Sequence, residues 1–149
     1  MLSWEEFASI KPEMASFGQE RLAYGVMYIA TIKADGYPRV HPFTPFLGSG
    51  RLFAFMEPTS PKGKDLERNG KYSMHSLVKD MNGTNGEFQI GGKAFLLTDP
   101  TSREIAIRFS PFKPNDRYIL FEFKIENCLT NFYTNGVPNV SRWKEDRSD

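Results

Sequence analysis

The sequence predicts a mainly β (α+β) fold, a barrel of six antiparallel strands with a few short helices outside it. Six segments rich in β-branched and aromatic residues are separated by turn signals. Helices are missing between most of these segments, which excludes a doubly wound parallel sheet. The length of 149 residues and the lack of repeats or linkers predict one domain, residues 1–149.

The strands are bounded by glycine- and proline-containing turns. Asp35-Gly36 predicts a hairpin after the first strand, and a glycine-rich turn at 48–50 leads into the third, so the first three strands are expected to form a meander. Gly91-Gly92 marks a bulge or sharp bend in the fifth. The polar tail after residue 136 carries no strand prediction. The predicted strands cover residues 24–33, 38–47, 51–57, 71–77, 87–97 and 117–133.

Helix starts are indicated by capping patterns. Ser3 and Glu6 have the capping-box spacing, which places a short helix after Ser3. Ser60 is a good N-cap, Pro61 suits the first helical position, and Gly70 suits a left-handed C-terminal position. The other two predicted helices cover residues 12–22 and 99 to about 109.

Composition excludes several classes of partner and site. Nineteen basic residues nearly cancel eighteen acidic ones, so no general field attracts nucleic acid or an anionic membrane. Cys128 is the only cysteine, which excludes an internal disulfide and a multi-cysteine metal site. No secretory signal is recognisable, and no apolar run approaches the ~18 residues of a membrane span. A cytoplasmic location is expected.

The segment Thr59-Ser60-Pro61-Lys62-Gly63-Lys64 has the composition of an anion site. It places hydroxyls and two ammonium groups at a predicted helix start, where backbone N–H groups and the helix dipole favour negative charge. Lysine supplies a compact charge for phosphate oxygens. The spacing also fits an ordinary capped helix with solvated lysines, and the segment alone leaves both interpretations open.

The second predicted strand contains Pro38, Pro42 and Pro45. Proline cannot donate to a β-ladder, so this segment is expected to be an edge, a bulge or a place that a ligand approaches. The prolines are explained equally well by protection of an edge strand against aggregation and by the approach of a planar ligand. His41, in this strand, is a weak candidate for a catalytic proton donor, whereas a structural role is favoured for His75. No metal site is predicted.

Four stretches, in this order, carry a resemblance to a known family. They are SWEEFASIKPEMASFG, YIATIKADGYPRVHPFTPFLGSGRLFAF, TSPKGKDLERNGKYSMHS and EFQIGGKAFLLTDP, with a weaker fifth in the terminal SRW. The middle two are the most specific, and the resemblance as a whole covers nearly the whole chain. The chain resembles the pyridoxamine 5′-phosphate oxidase-like family of flavin-binding split β-barrels.

The resemblance implies a six-stranded split barrel that forms a homodimer with two FMN sites at the subunit interface. The second strand would follow the flavin ring, the end of the third would face it, and the Ser-x-Lys at 60–62 would bind the phosphate. Glu87, and Trp143 as a cover, would reach the flavin from the partner subunit. The residues implied to bind the cofactor are Arg39, Val40, His41, Pro42, Phe43, Thr44, Phe55, Met56, Thr59, Ser60, Lys62, Lys64, Glu87 and Trp143.

The chain also departs from the family pattern. His41 stands where the oxidase has an arginine at the start of its ring-binding strand, and Phe46 replaces the basic residue that closes it. Pro61 replaces the arginine expected between Ser60 and Lys62. The tail VPNVSRWKEDRSD lacks the Arg-x-His substrate motif. A vitamin B6 oxidase is therefore not expected, and the lost positive groups leave F420 or haem as alternative cofactors.

Three functions remain open at this stage. The leading hypothesis is a flavin-dependent oxidoreductase with a small-molecule substrate, in which the cofactor carries the chemistry and the protein orients it. A non-catalytic flavin- or haem-binding module is the second, and binding without turnover would favour it. The third is a structural dimer whose ancestral site has decayed, for which substitution of Ser60 and Lys62 would change no ligand affinity.

Overall fold

A computed structural model describes residues 1–146, so the last three residues of the predicted domain lie outside the described part. The helices are α1 (Trp4–Ile10), α2 (Pro12–Leu22), α3 (Pro61–Arg68) and α4 (Pro100–Phe109). The strands are β1 (Met27–Ile32), β2 (Pro38–Phe43), β3 (Phe46–Gly48), β4 (Arg51–Met56), β5 (Lys71–Ser76), β6 (Glu87–Leu97), β7 (Ile119–Thr134) and β8 (Val137–Lys144).

Side-chain caps fix where three helices begin. The Ser3 hydroxyl accepts from the Glu6 N–H at 3.2 Å while the Glu6 carboxylate accepts from the Ser3 N–H at 2.7 Å, which is the capping box before α1. The Ser60 hydroxyl accepts from the Gly63 N–H at 3.2 Å before α3. The Asp99 carboxylate caps α4 in the same way. These starts confirm the helix boundaries that the sequence predicts.

The end of α3 differs from the prediction. The helix ends at Arg68, and the next residue, Asn69, is extended with φ −143° rather than left-handed. Gly70 has no positive φ either. Its lack of a side chain instead allows the backbone of β6 to approach closely, because a Cβ there would lie 2.5 Å from the Ala94 carbonyl oxygen. The glycine is therefore required by tertiary contact with β6.

The strands form one antiparallel sheet in the order β2-β1-β5-β6-β7-β4-β3, with β8 paired to β7. The prediction of a three-strand meander is wrong. The segment 38–47 divides into β2 and β3, which lie at opposite ends of the strand order. Pro45 has no N–H to donate to a ladder, so the strand breaks there.

The break gives the sheet its shape. Only Thr44 and Pro45 separate the two end strands β2 and β3, so the sheet must curl until its ends approach each other. No ladder joins β2 to β3 or β4 within residues 1–146, and the barrel is therefore split rather than closed. This arrangement confirms the split barrel, and it confirms β2 as an edge strand.

The long strands β6 and β7 organise the middle of the sheet. They pair from Glu87↔Asn131 to Leu97↔Leu120, and the register shifts between Gly91 and Gly92, as the glycine pair predicts. The first part of β7 is flanked by β4 and its later part by β8. The structure thus has eight described strands rather than six. Strand β8 escapes sequence detection because its side chains are mostly exposed and show no apolar alternation.

Aromatic side chains fill two cores. The main core lies inside the barrel and includes Phe7, Phe88 and Phe123, each fully buried. A second cluster of Phe46, Phe53, Phe55, Ala106 and Leu120 lies beneath α4. None of the helices in residues 1–146 is long and apolar enough to cross a bilayer.

The bulge in β6 generates a stability prediction. A Cβ at position 92 would lie 2.1 Å from the Lys124 carbonyl oxygen, which is backbone and cannot move aside. We expect Gly92→Ala to lower the free energy of unfolding by about 1–3 kcal/mol, as overpacking usually does. Chemical denaturation measures the change.

The matched control for this substitution is Gly25→Ala. Gly25 has φ +85° with nothing within 4 Å of the added Cβ, so the control carries backbone strain without a clash. We expect it to cost about 1 kcal/mol. If Gly25→Ala lowers the free energy of unfolding as much as Gly92→Ala or more, the close approach of β6 to the Lys124 carbonyl does not limit stability.

Candidate cofactor site at the split of the barrel

The barrel is open between the end of β2 and the end of β4. Strand β4 pairs with β3 only through residues 51–53, so residues 54–56 have a neighbouring strand only on the β7 side. Strand β2 likewise has a neighbour only on its β1 side within residues 1–146. Backbone N–H and C=O groups along these two edges can therefore hydrogen-bond a ligand that lies in the opening.

Helix α3 follows β4 and brings an unpaired cation to the opening. Lys62, at the second helical position, is half-buried, and no carboxylate of residues 1–146 forms an ion pair with its ammonium group. Burial lowers the pKa of Lys62. A partly desolvated charge without a partner is unfavourable, and an anion bound beside it would offset the cost.

The imidazole of His41 lies in the field of this lysine. Burial lowers the pKa of His41 from its ordinary 6.5, and the positive charges of Lys62 and Arg39 lower it further, whereas Asp65 opposes the shift. Alternation along β2 places Arg39 and His41 on the same face of the strand as the buried Phe43. The opening is therefore locally positive, and the imidazole is mainly neutral at pH 7.

A buried carboxylate attaches α3 to the sheet. Asp65 is only 2% exposed and accepts hydrogen bonds from Thr31 Oγ1, Arg39 Nε and Arg68 Nη2, each at 2.7 Å. Burial raises the pKa of Asp65, but these hydrogen bonds outweigh burial and hold the pKa below its usual range. Asp65, the fifth residue of α3, thereby fixes this helix against β1 and β2.

The sequence did not reveal this network. Asp65 lies between polar residues in a short helix, and its partners Thr31 and Arg39 are 34 and 26 positions away. No local pattern marks such a contact. The structure also separates the two lysines of the anion segment, because Lys62 lies toward His41 while Lys64 is exposed and lines a surface cavity on another side of α3.

Several residues implied by the resemblance lie beside the opening but turn their side chains away from it. Phe55 stacks on Phe46 at 5.9 Å beneath α4, and Met56 belongs to the main core. Val40 and Pro42 are exposed on the face of β2 opposite to His41. For these four strand residues, contact with a ligand in the opening would have to come mainly from the backbone.

A family model supplies the decisive comparison. The model for pyridoxamine 5′-phosphate oxidase matches residues 10–129, which include the split, α3 and most of β6 and β7. The chain belongs to the pyridoxamine 5′-phosphate oxidase family. The matched range contains Ser60 and Lys62, at the start of α3, and Phe46, which is buried beneath α4. Among proteins of curated function, none matches this sequence.

Solved structures share the fold at low identity. A heme-binding protein from Mycobacterium smegmatis is 12% identical over 86% of this chain with a TM-score of 0.66, and the chain spans 57% of its length. A NimC/NimA family protein from Clostridium acetobutylicum is 20% identical, with coverage of 86% and 92% and a TM-score of 0.65. HutZ, the heme storage protein from Vibrio cholerae, is 18% identical, with coverage of 78% and 89% and a TM-score of 0.60. Such identities establish the fold alone.

Two residues implied by the family lie away from the opening of their own subunit. Glu87 begins β6 and is separated from β2 by β1 and β5, and its carboxylate lies 3.5 Å from His75 Nε2. Trp143, on β8, packs against Phe7 with the ring centroids 5.3 Å apart. No group of three His, Cys, Asp or Glu side chains in residues 1–146 is arranged to hold a metal ion.

The position of His41 generates a pH prediction. Because its folded pKa lies below 6.5, the unfolded chain binds more protons between these two values, and the stability that neutral His41 allows is lost as the pH falls through that window. We expect the melting temperature to decrease from pH 7 toward pH 5 and the decrease to be smaller in His41→Gln.

Nuclear magnetic resonance gives a direct measurement of this shift. The described structure places the only two histidines, His41 and His75, on opposite faces of the sheet, so His75 is an internal control. Added inorganic phosphate is expected to raise the pKa of His41, since an anion near Lys62 stabilises the imidazolium. A His41 titration curve at or above 6.5 without ligand would contradict the positive field.

Proposed function

We propose that this chain binds FMN in the opening between β2 and β4 and acts as a flavin-dependent oxidoreductase on a small-molecule substrate. The observation that carries the proposal is Lys62, a half-buried ammonium group at a helix start. Within residues 1–146 it has no carboxylate partner, and it lies beside two strand edges that have no neighbouring strand. Membership of the pyridoxamine 5′-phosphate oxidase family supports the choice of a flavin. A cytoplasmic location is part of this proposal.

The start of α3 fits a phosphate group. Pro61 has no N–H, the Gly63 N–H is capped by Ser60, and the Lys64 N–H donates to the Ser60 carbonyl at 3.1 Å. The Lys62 N–H is left for an anion, together with the Lys62 ammonium group and the hydroxyl proton of Ser60. All three donors belong to Ser60 and Lys62 at one helix start, and the cap on the Gly63 N–H does not use any of them.

The strand edges fit the planar part of the same ligand. Within residues 1–146, the edge of residues 54–56 that faces away from β7 and the outer edge of β2 offer backbone donors and acceptors without ladder partners. When bound, the flavin supplies hydride or electron transfer, and the protein orients it and excludes water. The lowered pKa of His41 favours the neutral imidazole, which offers one N–H donor and one acceptor. A bound anion would raise this pKa and favour the imidazolium, which can give up a proton.

A homodimer completes this proposal. The outer face of β1 and β2 is apolar and exposed, with Tyr28 44% and Val40 67% accessible beside the exposed Pro42. Such a patch is typical of a protein–protein contact. Glu87 cannot reach the opening of its own chain across β1 and β5, so Glu87 of the partner subunit, with Trp143 of the partner subunit, is proposed to cover the cofactor.

Haem is the second candidate ligand. The observation in its favour is that two structural neighbours, from Mycobacterium smegmatis and Vibrio cholerae, are described as heme-binding and heme storage proteins. F420 is a third, since it also joins a phosphate to a tricyclic ring. An absorbance titration of the purified protein with FMN, F420 and haem distinguishes them, and uptake of haem or F420 in place of FMN would overturn the flavin assignment. FMN binding without turnover of any electron donor would support a non-catalytic flavin module.

The role of Lys62 generates a binding prediction. Loss of a charge-assisted hydrogen bond costs about 1.5–3 kcal/mol, so Lys62→Ala is expected to weaken FMN binding roughly 10- to 100-fold. Riboflavin, which lacks the phosphate, should bind both proteins alike. Flavin fluorescence titration measures both affinities.

Lys71→Ala is the matched control, because Lys71 is an exposed lysine at the start of β5, beyond the far end of α3. It should bind FMN as the unmodified protein does. If the two lysine variants bind FMN equally well, Lys62 does not hold the phosphate and the proposed site is wrong.

The dimer generates a separate prediction. Tyr28→Glu places a charge in the proposed interface and is expected to shift the protein toward monomer in sedimentation experiments. Ile107→Glu is the control, since Ile107 is 48% exposed on α4, outside the sheet face. Dissociation by Ile107→Glu alone would assign the interface to α4 instead.

A further inference from the structure

A surface cavity of about 370 Å³ lies beside the first turn of α3, between this helix and the β1–β2 turn. Charged side chains dominate its lining. Four are cationic and two are anionic: Lys33, Arg39, Lys64, Arg68, Asp35 and Asp65. Lys62 does not line it, so the cavity is separate from the proposed phosphate position.

The carboxylates do not neutralise this cavity. Asp65 is paired with Arg39 and Arg68, and Asp35 lies 3.7 Å from Lys33, which accounts for three of the four cations. Subtracting two negative charges from four positive ones leaves an excess of two. Lys64 has no ion-pair partner among residues 1–146. The whole chain has a net charge of only +1, so the excess is local.

Arg39 is the feature that makes the cavity suitable for a ligand. Its Nε donates to the buried Asp65 carboxylate at 2.7 Å, and neither of its Nη groups has a hydrogen-bond partner in residues 1–146. Asp65 itself is held by Thr31 and Arg68, so the guanidinium is fixed in position before any ligand binds. A fixed guanidinium with unpaired N–H groups is suited to phosphate or carboxylate oxygens.

The cavity and the proposed phosphate position adjoin each other at Arg39. This residue lines the cavity, and its charge also acts on His41 together with that of Lys62. Thr59 adds a hydroxyl on the cavity side of the helix start. One ligand, or two ligands side by side, can therefore place anionic groups on both sides of the first turn of α3.

We infer that this cavity is a second anion subsite, which binds a phosphate or carboxylate group in addition to the phosphate at Lys62. The anion is either a second phosphate of the bound cofactor or an anionic group of a separate substrate. The inference rests on the proposed function only in so far as a cofactor phosphate lies at Lys62. Arg39 and Lys64 line the cavity whatever ligand occupies the opening.

The test uses the full chain and two probes, FAD and inorganic phosphate. Lys33→Ala combined with Lys64→Ala removes two cations but leaves the Asp65 network intact, and Lys71→Ala is again the control. If the second phosphate belongs to the cofactor, the ratio of FAD affinity to FMN affinity is expected to fall about tenfold in the double variant. Fluorescence titration measures this ratio.

If the anion belongs to a separate substrate, the ratio stays constant, and the FMN-loaded double variant binds inorganic phosphate about tenfold more weakly in calorimetry. An unchanged ratio together with unchanged phosphate binding, in both the FMN-loaded and the FMN-free protein, would overturn the subsite. Failure of the FMN proposal is distinguishable from failure of the subsite. In that case the protein does not bind FMN, but the FMN-free double variant still binds inorganic phosphate more weakly than the unmodified protein.

Discussion

The crossing at Thr44 and Pro45 is the constraint on which this structure depends. Two residues join strands that stand at opposite ends of the sheet, and so short a connection forces the sheet to curl. The same proline prevents a ladder from closing the barrel at that point. The unpaired edges of β2 and β4 are consequences of this geometry, and α3 begins where the β4 edge ends. The shape and the opening thus have one origin.

The electrostatics of the opening depend on where negative charge is buried. The Asp65 carboxylate accepts hydrogen bonds from Arg39, Arg68 and Thr31 and so stabilises the packing of α3 against the sheet. Because the single carboxylate of Asp65 pairs with two arginines, Arg39 and Arg68, positive charge remains in excess beside α3. Lys62 adds an ammonium group that burial leaves incompletely solvated. The opening is thus locally positive while the chain as a whole is nearly neutral.

Much of the fold could be predicted because its signals are local. The Ser3 capping box, the Ser60 cap and the Asp35-Gly36 hairpin each depend on residues only a few positions apart, and the structure confirms them. Gly70 shows the limit of such arguments. Its position after a helix suggests a left-handed turn, but its actual requirement comes from the Ala94 carbonyl on a neighbouring strand, which no local pattern reveals.

The sequence by itself determined the four helices, most of the strand segments and the cationic composition at the start of α3, since these follow from residue type and short spacing. Only the tertiary structure decided that segment 38–47 divides between two ends of the sheet and that Asp65 accepts a hydrogen bond from Arg39. It also decided that Lys62 lies toward His41 while Lys64 lines a separate surface cavity. The physical reason is that these features depend on residues far apart in the sequence, such as Asp65 with Arg39 and Thr31, 26 and 34 positions away, and on the order of the strands in the sheet.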